Sequence, residues 1–261
     1  MSDPLLHLTG VSLSFAGNAV LQDVDFSVGH GVIASLIGPN GAGKTSLFNC
    51  ITGFYKPQAG SIQIDGQELM RFKPHRVTQA GIARTFQNVR LFQQMTVLEN
   101  VMSGSHCRSS AGAISAILGL PSQRREEAEI RAHAIECLEF VGIADEMERD
   151  ATNLAYGHQR RVEIARALAT RPKLLLLDEP AAGLNSGEKQ DLLTLIGRVR
   201  DELGISVLLI EHDTGMVMKI SERISVLDHG VMIAEGAPKD IQANPRVIEA
   251  YLGQEDGEDA L

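Results

Sequence analysis

The stretch LAYGHQRRVEIARALATRPKLLLLDEP, residues Leu154–Pro180, ends in four consecutive leucines that are followed by two adjacent carboxylates. A short apolar run of this kind is typical of a buried strand, and here it ends at Asp178 and Glu179. Two carboxylates at the end of a buried strand are costly unless a partner compensates their charge. The sequence therefore predicts a metal ion and a polarised water beside this pair.

A second motif lies upstream, where GPNGAGKT at Gly38–Thr45 fits the phosphate-binding pattern G-x-x-x-x-G-K-[ST] at every required position. It follows an apolar strand predicted over 32–37 and precedes a helix predicted to begin near residue 43. Glycines let the backbone approach phosphate oxygens closely, and the helix N-terminus favours the anion. The residues expected to hold a nucleotide here are Gly38, Pro39, Asn40, Gly41, Ala42, Gly43, Lys44, Thr45 and Ser46.

The chemistry of phosphoryl transfer suggests a role for each reactive side chain in these two motifs. Lys44 is expected to reach the β- and γ-phosphates, and the Thr45 hydroxyl is expected to bind Mg²⁺. Asp178 is expected to hold Mg²⁺, usually through water, while Glu179 polarises the attacking water. A structural alternative makes the two carboxylates a helix N-terminal cap, which fits the following Pro180 less well.

A third candidate is His212, which follows another apolar strand predicted over 205–211. Ligands of open α/β sheets bind beyond the carboxyl ends of the strands. We therefore expect His212 to contact the γ-phosphate, and we group it with Lys44 and Glu179 as the catalytic residues.

The order of predicted elements indicates an α/β fold. Strand patterns occupy residues 5–37, and strand, helix and strand return from residue 173, which predicts a parallel sheet with covering helices and an antiparallel β edge. Residues 88–166 are helical in character, with a capping box at Thr96 and a loop with one short apolar helix within 103–122. The predicted domains are a nucleotide-binding core with an antiparallel β subdomain (1–87 and 167–252), a helical subdomain (88–166) and an acidic disordered tail (253–261).

Composition limits the function classes. The chain of 261 residues has a formal net charge of −9, which argues against a broad nucleic-acid-binding face. Cys50, Cys107 and Cys137 lack metal-ligand spacing and are expected to be reduced thiols. No run approaches the roughly 20 apolar residues that span a bilayer, and the first residues do not have the pattern of a signal peptide.

Taken in order, GPNGAGKT, Gln87, LAYGHQRRVEIARAL, LLLLDEP and His212 resemble the ATP-binding subunits of ABC transporters over nearly the whole chain. The resemblance implies the P-loop ABC ATPase fold, with a mixed sheet core, ATP hydrolysis, and the cofactors ATP and Mg²⁺. It also implies that Gln87 contacts Mg²⁺ and senses a transmembrane partner. By the same resemblance Phe15 stacks on adenine, with an ordinary core phenylalanine as the alternative.

The segment LAYGH, residues 154–158, stands where this family has the LSGGQ signature, which completes the ATP site of the opposite subunit. Ala155, Tyr156 and His158 depart from that consensus. Because Ala155 has no hydroxyl, the γ-phosphate contact is expected from backbone N–H groups, chiefly that of Gly157, and from the nearby helix N-terminus. For His158 two interpretations stay open, a pH-dependent charge near phosphate and a plain surface role.

A narrower resemblance is carried by residues 81–101, by LAYGHQRR, by DEPAAGLN and by NPRVIEAYLG at 244–253. These segments look like the larger ATP-binding subunit of branched-chain amino-acid importers. This resemblance implies a peripheral subunit on the cytoplasmic face of the inner membrane. The implied partners are two transmembrane permease subunits, a second ATP-binding subunit (a paralogue or a second copy) and, indirectly, a periplasmic binding protein, with no nucleic acid. The alternatives are a related importer for urea, amides or other small polar solutes, an exporter subunit, and a non-transport ABC ATPase.

Overall fold

The computed structural model describes residues 3–108 and 121–258, which form two β-sheets with covering helices. The strands are β1 (Leu6–Phe15), β2 (Asn18–Val28), β3 (Ile33–Ile37), β4 (Ala59–Ile64), β5 (Gln67–Glu68), β6 (Ile82–Arg84), β7 (Leu174–Asp178), β8 (Ser206–Ile210), β9 (Arg223–Asp228) and β10 (Val231–Gly236). The helices are α1 (Lys44–Ile51), α2 (Pro74–Ala80), α3 (Val97–Ser105), α4 (Pro121–Val141), α5 (Tyr156–Leu168), α6 (Ser186–Leu203), α7 (Thr214–Ile220), α8 (Pro238–Gln242) and α9 (Pro245–Glu258).

The larger sheet has six strands in the order β10-β9-β3-β8-β7-β6, all parallel except β10. Its central strands β3, β7 and β8 bury every residue, which explains why their sequences are continuous apolar runs. The smaller sheet is antiparallel, in the order β2-β1-β4-β5. The predicted α/β fold with a mixed sheet and an antiparallel β edge is therefore confirmed.

The six-stranded sheet has an apolar core on each face. Because successive side chains of a strand point to opposite faces, Leu174 and Leu176 join a cluster with α1 and the antiparallel sheet. Leu175 and Leu177 join the other cluster, which contains buried residues of α3, α4 and α5. The core is thus continuous from the sheet into the helical segment. Helix α5 also continues past residue 166, the predicted boundary between the helical subdomain and the nucleotide-binding core. The division into subdomains stays a prediction.

The parallel strands bring the candidate residues together at one edge of the sheet. Asp178 at the end of β7 pairs with Ile210 at the end of β8, and β3 leads directly into the glycine loop. The predicted capping box of α3 is present, with Thr96 and Glu99 exchanging hydrogen bonds of 2.8 and 3.2 Å. No helix within the described ranges is long and apolar enough to cross a membrane.

One segment differs from the sequence prediction, and a second lies largely outside the described residues. Disorder was expected for 253–261, but α9 continues to Glu258, and only 259–261 lie outside the described residues. Val247 and Tyr251 anchor α9 on a third apolar cluster, which also contains Val217 of α7 and Ile224 and Val226 of β9. An anchored helix adds residues without a new nucleation cost, which corrects the expectation for 253–258. The apolar helix predicted within 103–122 falls largely on residues 109–120, outside the described part of the chain.

The three cysteines differ in burial, and we therefore expect them to differ in reactivity. Cys50 and Cys137 are buried, and burial raises the pKa of each thiol to about 12, whereas Cys107 is half-buried. Because the thiolate is the reactive form, we expect a thiol reagent at pH 8 to modify Cys107 first and to spare Cys50 and Cys137 until the chain unfolds. Mass-spectrometric labelling kinetics measure this, with Cys107→Ser as the control that should lack the fast reaction. Fast labelling of the Cys107→Ser variant would contradict the assignment.

Candidate active site

The glycine loop between β3 and α1 is packed so closely that only glycine fits two of its positions. A Cβ on Gly38, whose φ is +149°, would lie 1.9 Å from the carbonyl oxygen of Leu227. A Cβ on Gly43, whose φ is +106°, would lie 2.9 Å from the carbonyl oxygen of Val20. The loop is therefore packed closely against β9 and β2.

Lys44 occupies the centre of this loop at the first position of α1. Its Nζ donates hydrogen bonds to the carbonyl oxygens of Gly38 at 2.6 Å and Pro39 at 2.8 Å. Burial lowers the pKa of Lys44, while the charges of Glu179 and Asp178 act in the opposite direction. The ammonium group thus lies where phosphates would meet the loop, held by carbonyl groups that a phosphate can replace.

A cleft joins the glycine loop to the other two predicted catalytic residues. Glu179 and His212 lie on one wall of this cleft. The loop residues that line it are Asn40, Gly41, Ala42, Gly43, Lys44, Thr45 and Ser46, together with Val20 of β2. Val20 is a contact that sequence reasoning missed, because it comes from the antiparallel sheet.

Glu179 is held by two partners from different elements. Its Oε2 accepts a hydrogen bond of 2.7 Å from Gln87 Nε2, and its Oε1 lies 2.9 Å from His212 Nε2. The backbone of Glu179 has a φ of +47°, an uncommon conformation for a residue with a side chain, and its N–H donates to Ile210 O at 2.9 Å. Since the following helix begins only at Ser186, the carboxylate pair is not a helix N-terminal cap.

Asp178 makes a buried ion pair that the sequence did not reveal. Its Oδ2 lies 2.7 Å from Nη2 of Arg84, and both side chains are less than a tenth exposed. Arg84 Nη1 also donates to Asn49 Oδ1 of α1 at 2.7 Å. The only sequence signal was that Arg84 follows apolar residues in GIARTF. A charge buried beside such a segment requires a partner.

The residues predicted to bind a metal have oxygen donors of the kind that Mg²⁺ prefers. Thr45 supplies a hydroxyl beside the cleft, Asp178 a carboxylate and Gln87 an amide oxygen. Within residues 3–108 and 121–258 no group of three His, Cys, Asp or Glu side chains could hold a metal ion. One carboxylate with substrate phosphates is the usual arrangement for Mg²⁺, so these residues fit that ion together with a nucleotide and not alone.

Helix α5 holds the segment around Gln87 through a second buried ion pair. Arg160 donates to the carbonyl oxygens of Phe86 at 2.7 Å and Gln87 at 2.8 Å, and to Glu163 Oε2 at 2.8 Å. Glu163 in turn accepts a hydrogen bond from the Phe86 backbone N–H at 3.2 Å. Burial raises the pKa of Glu163, while the positive charge of Arg160 opposes this shift. Gln87 is therefore positioned by the helix that begins within the LAYGH segment.

The LAYGH residues lie at the start of α5 and do not line the cleft of their own chain. Ala155 is the N-terminal cap residue and makes no side-chain cap. A Cβ on Gly157 would lie 2.7 Å from Glu188 Oε1, so this glycine packs against the start of α6. Tyr156 is exposed, and its hydroxyl accepts a hydrogen bond of 3.1 Å from Arg160. His158 Nδ1 lies 2.7 Å from Glu146 Oε1, a contact within the chain.

Phe15 lies at the end of β1, and 45% of its surface is exposed. This excludes the alternative that Phe15 is an ordinary core residue. Its ring meets Tyr55 edge to face, with centroids 5.1 Å apart. Tyr55 is a second exposed aromatic that sequence reasoning missed, because it comes from the loop after α1 and approaches Phe15 only in the folded chain.

Two further residues fix the surroundings of the cleft. Buried Glu211 accepts a hydrogen bond of 2.7 Å from the Ala181 N–H, which ties the loop after Glu179 to the end of β8. Burial raises the pKa of Glu211, and the Ala181 hydrogen bond opposes that rise. Tyr251 of α9 hydrogen-bonds the backbone of Gly38, and burial of its hydroxyl raises its pKa. The last helix thereby contacts the first glycine of the phosphate loop.

Comparison with known proteins adds family and subgroup information to this geometry. A family model described as ABC transporter matches residues 21–182, and one described as branched-chain amino acid ATP-binding cassette transporter matches residues 231–257. The chain is 46% identical over 254 residues to the high-affinity branched-chain amino acid transport ATP-binding protein BraF of Pseudomonas aeruginosa. That match covers 97% of this chain and 100% of BraF.

Solved structures with the same fold include nucleotide-bound forms. The ADP conformation of MJ1267, an ATP-binding cassette of an ABC transporter, has a TM-score of 0.84 at 32% identity and covers 97% of this chain and 100% of its own. The dimeric post-hydrolysis state of the cassette MJ0796, bound to ADP and Pi, has a TM-score of 0.74 at 26% identity. That match covers 89% of this chain and 98% of its own.

Proposed function

Because this chain belongs to the ATP-binding cassettes of ABC transporters, we propose that it is the energy-coupling ATPase of a branched-chain amino-acid importer. The observation that carries the proposal is the match to BraF, which spans the whole of that protein and nearly all of this chain. The match of residues 231–257 to the branched-chain cassette family supports the same subgroup. Hydrolysis of ATP follows from the family.

The proposed roles of the residues in ATP hydrolysis follow from their contacts in the cleft. Glu179 acts as general base and orients the attacking water, and its two partners Gln87 and His212 keep the carboxylate facing the cleft. Lys44 exchanges its loop carbonyl partners for the β- and γ-phosphates. Thr45 and Asp178 would hold Mg²⁺, which neutralises phosphate charge when bound.

We propose that a complete ATP site needs a second subunit. The first N–H groups of α5 receive no side-chain cap from Ala155, and the N-terminus of a helix favours an anion. These groups are absent from the lining of the chain's own cleft. The second subunit, a paralogue or a copy, would bring its nucleotide to Ala155–Gly157. The dimeric state of MJ0796 with ADP and Pi supports this arrangement.

We propose that closure of the cassettes is transmitted to the membrane partner through the segment around Gln87. A groove beside this residue is formed by β6, α3 and α5, and Arg84, Phe92 and Arg166 lie in its lining. Arg160 and Glu163 join the backbone of this segment to the helix that contacts the second nucleotide. Closure of two cassettes on ATP would therefore shift the groove and the permease seated in it. The subunit would work peripherally, at the cytoplasmic face of the membrane, with two permease subunits.

The proposal predicts a transport defect specific to branched-chain amino acids. Deleting the gene in its source organism is expected to abolish high-affinity uptake of radiolabelled leucine, isoleucine and valine, because ATP hydrolysis drives the import. Wild-type protein should restore uptake, and Glu179→Gln should not. Uptake that stays normal for these amino acids but falls for urea or an amide would assign the chain to a related importer instead.

A further inference from the structure

The exposed surface before and along α2 carries a cluster of basic residues. We call Arg71, Lys73, His75 and Arg76, from the stretch RFKPHR, the basic patch. All four side chains are exposed and line a shallow depression. Among the described residues no carboxylate forms an ion pair with any of them. The nearby Glu68 accepts hydrogen bonds from the backbone N–H groups of Ile62 and Met70.

Several exposed cations elsewhere on the described surface pair with carboxylates, which the residues of the basic patch do not. Arg198 pairs with Glu202 at 2.7 Å and Arg223 with Glu235 at 2.6 Å. Lys73, the N-cap residue of α2, and Arg76 in its first turn carry like charges close together, so they do not stabilise the fold through their charge. In a chain with a formal net charge of −9, an unpaired positive cluster is suited to an anionic partner.

The position of α2 indicates which side of the molecule this partner occupies. Thr78 of α2 lines the groove beside Gln87, while Gln79, the next residue, lines the depression of the basic patch. Gln79 Nε2 also donates to the Cys107 carbonyl oxygen at 3.0 Å, which ties α2 to the far wall of the groove. The groove and the basic patch are therefore adjacent surfaces that share one helix.

We propose that the basic patch contacts the anionic lipid headgroups of the membrane surface next to the permease. This choice of partner rests on the proposed function, in which the groove receives the permease. Cytoplasmic loops of membrane proteins carry an excess of Lys and Arg, so their charge does not complement the patch. The cytoplasmic leaflet is negatively charged and attracts basic segments near its surface.

The expected strength of this contact fits a supporting role. Each basic residue near an anionic membrane strengthens association by about fivefold, so Arg71, Lys73 and Arg76 together contribute about 100-fold. For a subunit already held by a permease the contact becomes intramolecular, and its effective concentration is high. The lipid contact would then orient the subunit beside the permease.

The test compares two triple variants that remove the same charge from opposite edges of the six-stranded sheet. The patch variant is Arg71→Gln, Lys73→Gln and Arg76→Gln. The control variant is Lys219→Gln, Lys239→Gln and Arg246→Gln, which changes exposed cations on α7, α8 and α9 beside the β9–β10 edge. Partitioning is measured by sedimentation with vesicles of phosphatidylcholine alone and with equimolar phosphatidylglycerol, at about 0.01 M and 0.15 M salt.

We expect wild type and the control variant to partition onto phosphatidylglycerol vesicles at low salt, and the patch variant to partition about 100-fold less. Free glycerol phosphate should compete poorly with vesicles. Equal partitioning of the patch and control variants, or equal binding to phosphatidylcholine alone, overturns the proposal. So does a patch variant that keeps vesicle binding but no longer assembles with its permease, since the patch would then be a protein interface. ATPase activity and leucine uptake of Glu179→Gln test the proposed function separately.

Discussion

Replacing Glu179 with glutamine is expected to lower the rate of ATP hydrolysis by about 10²- to 10⁴-fold, the usual contribution of a general base. The amide occupies nearly the same volume, can still accept from Gln87 and can donate to His212, so the local geometry is retained. It cannot accept the proton of the attacking water. ATP binding should stay close to wild type, because Lys44 and the glycine loop are unchanged. Phosphate release and nucleotide titration measure the two quantities.

A matched control for this experiment is Glu99→Gln, the same chemical change at the capping box of α3. Glutamine serves at this position of a capping box, so fold and turnover should both be retained. Turnover of Glu179→Gln close to that of Glu99→Gln would contradict the assignment of Glu179 as the base. Loss of ATP binding in Glu179→Gln would instead point to a structural role of the carboxylate.

Replacing Arg160 with methionine is expected to lower the free energy of unfolding by about 3–5 kcal/mol, the range for breaking one side of a buried ion pair. The guanidinium and the Glu163 carboxylate are each 1% exposed, so removal of Arg160 leaves the buried carboxylate with only the more distant Arg166, at 3.9 Å, as a charge partner. It also removes the donors to the carbonyl oxygens of Phe86 and Gln87. Urea unfolding followed by circular dichroism measures the change.

The double variant Arg160→Met with Glu163→Met separates stability from positioning. Replacing both members of a buried pair with apolar residues is often neutral for stability, so the double variant should recover much of the loss. ATP turnover should not recover, because the backbone around Gln87 has lost its hydrogen bonds on both sides. A single Arg160→Met variant that loses less than about 1 kcal/mol would show that the pair is not the main support of this segment.

Local sequence patterns predicted the strands, the glycine loop and the residues at the strand ends. GPNGAGKT between an apolar run and a helix indicates a phosphate site, and Asp178 and Glu179 after four leucines favour a metal site over a helix cap, because a buried charge requires a partner. Parallel strands then place their carboxyl ends at one edge. For this reason the position of His212 beside Glu179 was predictable before any contact was known.

The contacts of Arg84, Arg160 and Tyr55 were not predictable in this way. Arg84 meets Asp178 across 94 residues of chain, and Arg160 meets Phe86 across 74. Such pairs arise only when the sheet order places β6 beside β7 and α5 against the segment that follows β6. A sequence pattern records the period of one element, and it does not record which two elements become neighbours.

The sequence by itself thus determined the chemistry of the cleft: a phosphate loop, an acidic pair and a histidine, each at the end of a buried element. Only the tertiary structure decided how these groups are held, with Glu179 between Gln87 and His212 and Asp178 against Arg84. It also placed LAYGH away from the chain's own phosphate loop. The physical reason is that residue type and spacing fix local conformation and reactivity, whereas orientation and pairing depend on the packing of elements far apart in the chain.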